Sequence, residues 1–63
     1  MPESLLDVAA AAARLRVTER WMRRAVVERR IPFVKVGRFV RFRPADLDRY
    51  IERQSVPAVG EVA

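Results

Sequence analysis

The chain contains no cysteine and no histidine. Disulfides are therefore excluded, and so are the usual zinc sites. No apolar run approaches the about 20 residues that cross a bilayer. The start of the chain has no basic region followed by an apolar block, the pattern of a secretory leader. There are only two glycines, and neither belongs to a loop that could cradle a nucleotide. These absences lead us to expect a soluble, cytoplasmic protein without metal or other cofactor. Sixty-three residues make one domain at most. A domain of that size buries a modest share of its surface, so marginal stability is expected.

What is plentiful is positive charge, and it is concentrated. Residues 14–43 hold eleven Arg or Lys against two acids, Glu19 and Glu28, a net of +9. Residues 1–13 and 44–63 each carry a net of −2. Charge that served solubility alone would be spread along the chain. A basic block points to a polyanionic partner, and nucleic acid is the reading that fits it. Twelve of the thirteen bases are arginine, the residue whose planar fork matches phosphate and guanine. GC-rich coding also favours Arg, Ala and Val and accounts for part of that bias.

Local signals order the elements. Asp7 is a good N-cap for VAAAAARL, with Leu6 just before it. Val8, Ala11, Ala12 and Leu15 follow helical spacing, and five consecutive alanines favour helix. Thr18 is the next N-cap, and Glu19 suits the positive end of a helix dipole. A second helix is predicted from Glu19 to Glu28 or Arg29. Met22, Ala25 and Val26 share its inner face, while Arg20, Arg23, Arg24 and Val27 lie opposite. Trp21 stands at the border, either covering the core edge or reaching DNA. Pro32 ends the segment. A third helix is predicted over 44–53, with Pro44 at N1 and Leu47, Tyr50 and Ile51 on one face.

Between these helices lie two β-rich runs, Phe33–Val36 and Phe39–Arg43. A loop of two residues would place Arg41 on the apolar face. A loop of three, Gly37-Arg38-Phe39, pairs Val36 with Val40 and Val34 with Phe42, leaving Lys35, Arg41 and Arg43 on the other face. Since a slip of one residue swaps the faces, burial is expected to select the three-residue loop. The order is then helix, tight turn, helix, basic hairpin, short helix. This is an α+β fold, a small winged helix-turn-helix. The domain is expected to span 1–54, with a loose tail over 55–63.

The stretches LLDVAAAAARL, RLRVT, RRIP, VKVGR and VRFRPADLDRYI occur in that order over residues 5–53. They resemble the excisionase family of MerR-like winged-helix DNA-binding domains. The resemblance implies a small accessory protein that bends DNA and helps an integrase excise a prophage, without chemistry of its own. Such proteins are also called recombination directionality factors. Family members usually carry glycine where this chain has Arg16 and Arg29. Glycine enters the left-handed region cheaply there, whereas arginine does so at about 1 kcal/mol. Either the backbone adopts that conformation regardless, or the second helix continues farther.

The expected DNA surface follows from the elements. The second helix would enter the major groove. Thr18 and the helix N-terminal amides would meet phosphate. Arg20, Arg23 and Arg24 are candidate readers of base or phosphate. Glu19 either accepts from cytosine or serves only the helix dipole. Arg38 at the wing tip suits a narrow minor groove, with Lys35, Arg41 and Arg43 on the flanking backbone. Arg29 and Arg30 are open between phosphate contact and solvent. Tyr50 is expected in the core, since no histidine is present to build a recombinase site around it. Asp46 and Asp48, two apart on a helix, do not face each other and form no paired-carboxylate site. Ala9, Ala10, Ala13 and Phe39 remain apolar outside the core and are candidates for contacts between copies along DNA. The chain is thus expected to be no enzyme, to partner double-stranded DNA, other copies of itself and an integrase, and to associate with the bacterial nucleoid. Two other readings remain: a small transcriptional regulator of the same fold, or an integrase-interacting module without DNA specificity.

Overall fold

The computed structural model describes residues 4–56. Helix α1 spans Val8–Leu15, α2 Glu19–Val27 and α3 Pro44–Gln54; strands β1, Val34–Val36, and β2, Phe39–Arg41, lie between α2 and α3. The expected tail falls almost entirely outside the described residues.

The caps form as their residue types dictate. Asp7 Oδ1 accepts the Ala10 N–H at 2.8 Å, and Thr18 Oγ1 accepts the Trp21 N–H at 3.0 Å. Each bond satisfies an amide that the first helical turn leaves unpaired. Pro44 opens α3, where its missing N–H is of no consequence. Both α1 and α2 close in the same way. Val17 N–H donates to Ala12 O at 3.0 Å, and Arg30 N–H donates to Ala25 O at 2.8 Å. This closure needs a left-handed residue just before the donor, and Arg16 and Arg29 supply it at φ 60° and φ 57°. The second helix therefore stops, and the backbone adopts the left-handed conformation despite the side chain.

Ala11, Ala12, Met22, Ala25, Ile31, Phe42 and Leu47 form the buried core. Small residues on α1 let α2 approach closely, and Met22 fills the space between the helices. Val8, Leu15, Trp21, Val26 and Tyr50 cover the edges of this core. Ile51, expected inside with Leu47 and Tyr50, is 41% exposed. It lines an open groove with Leu15, Val17, Trp21 and Tyr50, so the third apolar position of α3 stays partly exposed. Arg14 Nη2 reaches both Asp48 oxygens, at 3.0 and 3.3 Å, and links α1 to α3.

The hairpin differs from expectation. Val34 pairs with Arg41, Lys35 with Val40 and Val36 with Phe39, so the loop has two residues, Gly37 and Arg38. Two features set this register. Gly37 has φ 63° and Arg38 does not enter positive φ, as in a II′ turn whose twist matches the strands. Beyond β2, Phe42 pairs with Leu6 through N–H···O bonds of 2.8 Å in each direction. That bridge draws the Phe42 ring inward to zero exposure. Val40 shares its face by alternation and packs on the core. Val34, Val36, Phe39 and Arg41 consequently share the outer face, leaving Val36 and Phe39 exposed.

Replacing Arg16 with glycine removes the Cβ from a left-handed position. The Arg16→Gly variant is expected to be more stable by about 1 kcal/mol, read as a higher urea midpoint with unchanged slope. A lower midpoint would show that the Arg16 side chain stabilises the turn between the helices.

Candidate nucleic-acid interface

The Thr18 cap fixes the entry of α2, and the buried Met22 and Ala25 fix its rotation. Arg20, Arg23 and Arg24 then stand on the outer side, all exposed, as the helical spacing predicts. Val27, on the same side, is 79% exposed. An isolated apolar side chain among arginines suits contact with a thymine methyl. The sequence placed Val27 on this face, and the structure shows how fully it is exposed there.

Internal acids hold part of this charge. Glu19 Oε1 accepts from Arg23 Nη2 at 3.1 Å. Glu28 Oε2 accepts from Arg24 Nε at 3.0 Å, and its Oε1 accepts from Arg30 Nε at 2.7 Å. The hydrogen bond from Arg24, followed by that from Arg30, holds the Glu28 carboxyl below its ordinary value. This clasp favours the folded state above the ordinary carboxylate pKa and fades as pH falls through the lowered one. Arg30 also lies 5.2 Å from the Trp21 ring centroid. Trp21 is half-buried against the core edge. Arg20 forms no ion pair among the described residues.

The hairpin register divides the wing cations. Val40 shares a small apolar groove with Val8, Arg23, Val26 and Val27, so one face of the hairpin turns toward α2. Lys35 pairs with Val40 and lies on that face. Arg41 lies on the opposite face, where it is half-buried. Its Nη1 donates to Val40 O at 2.8 Å, and its guanidinium lies 5.2 Å from the Phe39 centroid. Arg38 approaches the same ring at 5.7 Å. Arg43 leaves the strand to become the N-cap of α3, where its carbonyl accepts from Asp46 and Leu47. The single cationic face expected for Lys35, Arg41 and Arg43 is therefore replaced by two groups. One joins Lys35 to α2, and the other brackets Phe39 with Arg38 and Arg41. Ala9, Ala10 and Ala13 are exposed on α1.

A family model described as a helix-turn-helix domain matches residues 5–55. The chain belongs to this family, and its fold is a small winged helix-turn-helix that implies DNA binding. No curated protein and no solved structure matches the chain. Among the described residues, no helix is long and apolar enough to cross a membrane.

Glu28 offers a direct probe of this surface. Glu28→Gln removes one negative charge and releases the carboxylate's hold on Arg24 and Arg30. Affinity for a random-sequence duplex is expected to rise about two- to five-fold at low salt, with a steeper loss as salt increases. Fluorescence anisotropy across a salt series reads both quantities.

Proposed function

We propose that this chain is a phage excisionase, a sequence-specific DNA-binding protein that bends its target and directs an integrase toward excision. The observation that carries the DNA part is the continuity of α2 with the wing: Arg23 and Val27 lie beside Val40, which is paired with Lys35. One docking then presents Arg20, Arg23 and Arg24 to a major groove while Arg38 reaches the neighbouring minor groove. Thr18 and the first α2 amides meet phosphate, and Glu19, bonded to Arg23, orients that arginine. Lys35 and Arg43 contact the flanking backbone. Arg41 braces Phe39 more than it reaches outward.

Support for the excisionase role comes from the motifs spread over residues 5–53 and from the matched family, which includes excisionase-like DNA-binding domains. Cooperative filling of adjacent sites would use the exposed alanines of α1 and Phe39, which is 52% exposed with two arginines around it. The integrase and other copies of the chain are the protein partners in this reading, acting on DNA in the bacterial cytoplasm.

A footprint titration on DNA around the chain's own gene and a nearby attachment site tests the proposal. Several adjacent direct repeats filling together, with enhanced cleavage between them, are expected. One protected palindrome would instead indicate a dimeric regulator. Absence of protection above non-specific background would leave the basic surface to a protein partner.

A further inference from the structure

The connection from α2 to β1 and one side of α3 line an open groove of about 650 Å³. Arg29, Arg30, Arg49 and Arg53 line it together with Phe33, and Asp46 is the one acid among its lining residues. That acid is already engaged, since Asp46 Oδ1 accepts from Arg49 Nη2 at 2.7 Å. Arg30 is likewise engaged by Glu28 at 2.7 Å. Arg29 and Arg53 form no ion pair among the described residues. Among the described residues, the groove keeps a positive field that is not neutralised.

Two local preferences are broken here. Arg29 occupies a left-handed position, φ 57°, that glycine would take more easily. Arg49 and Arg53 stand four apart on α3, a spacing that puts like charges side by side. Departures from local preference that converge on one place point to a functional surface. Arginine forks pair with the two free oxygens of a phosphodiester.

The position of the groove identifies which anion it meets. Helix α2 has nine residues and so spans about 13 Å. The major groove of B-DNA is about 12 Å wide. With the Thr18 end at one rim of the groove, the residues just past the opposite end of α2 lie at the other rim. Arg29 and Arg30 are those residues. We infer that the Arg29–Arg53 groove is a second phosphate clamp, gripping the backbone on the far side of the major groove from Thr18. The inference rests on α2 being the recognition helix. It adds a site for the sugar-phosphate backbone, made by α3 and the connection, that the wing and α2 do not supply.

The test uses the full chain, a labelled random-sequence duplex, and the variants Arg29→Gly, Arg53→Gln and their combination. Each removed phosphate contact is expected to reduce the slope of log affinity against log salt by about 1. Arg29→Gly is also expected to raise the urea midpoint, because it relieves the left-handed backbone. Weaker, less salt-dependent binding by a more stable protein separates lost contacts from lost folding. An unchanged slope in folded variants would overturn the clamp. So would an unchanged slope with impaired filling of multi-site DNA, which would assign the groove to an acidic protein surface. Arg20→Gln is the reference: if it too leaves binding unchanged, the recognition-helix reading itself fails, and the clamp fails with it.

Discussion

The Phe42 ring is fully buried while the Phe42 backbone bonds Leu6 in both directions. One residue thus joins three parts of the chain: the segment before α1, the second wing strand and the helical core. Burying such a ring contributes on the order of 1.5–3 kcal/mol. That single gross term is comparable with the net stability a core of this size supplies, about 3–5 kcal/mol. The wing's orientation depends on it, because inward placement of Phe42 decides the direction of every other side chain in β2. Val40 turns toward α2, and Phe39 and Arg41 turn away.

Charge is handled differently on the two sides of the molecule. On α2, Arg23 and Arg24 are held by Glu19 and Glu28, whereas Arg20 has no such partner among the described residues. The held ones are oriented in advance, so less side-chain freedom is lost when they bind. Among the described residues no acid pairs with the cations of the outer wing face, and Arg38 and Arg41 rest against the Phe39 ring. An aromatic face attracts a cation without cancelling its charge. The wing therefore keeps its full positive field while its arginines remain positioned.

The helices were legible in the sequence because their signals are local. Asp7, Thr18 and Pro44 mark starts, and the apolar spacing of Ala11, Ala12, Met22, Ala25 and Leu47 marks the core. The outward arginines of α2 follow from the same periodicity. The hairpin register was not legible: the pattern favoured a wholly apolar face of Val34, Val36, Val40 and Phe42, whereas the structure packs Val40 and Phe42 on the core and turns Val34 and Val36 to the other face. The choice between the two registers depends on Leu6, a residue distant in sequence, and on the Gly37 turn. Splitting the wing cations is a direct consequence of that register. The missing glycines at 16 and 29 raised a choice that sequence could pose but not decide. The closing hydrogen bonds from Val17 and Arg30 decide it in favour of the left-handed backbone. The link between Arg14 and Asp48 joins helices far apart in the chain, and no local pattern announces it.

The Leu6–Phe42 bridge spans more than half of the chain. Before it forms, a long loop must close, and the entropy lost in closure grows with the logarithm of its length. The contacts between α1 and α2 close a far shorter loop, so the helical pair assembles first and the wing is fastened last. The order reverses on opening. Release of this one bridge would free the β-hairpin before the helical pair, so the amide protons of β1 and β2 are expected to exchange with solvent sooner than those of α1 and α2.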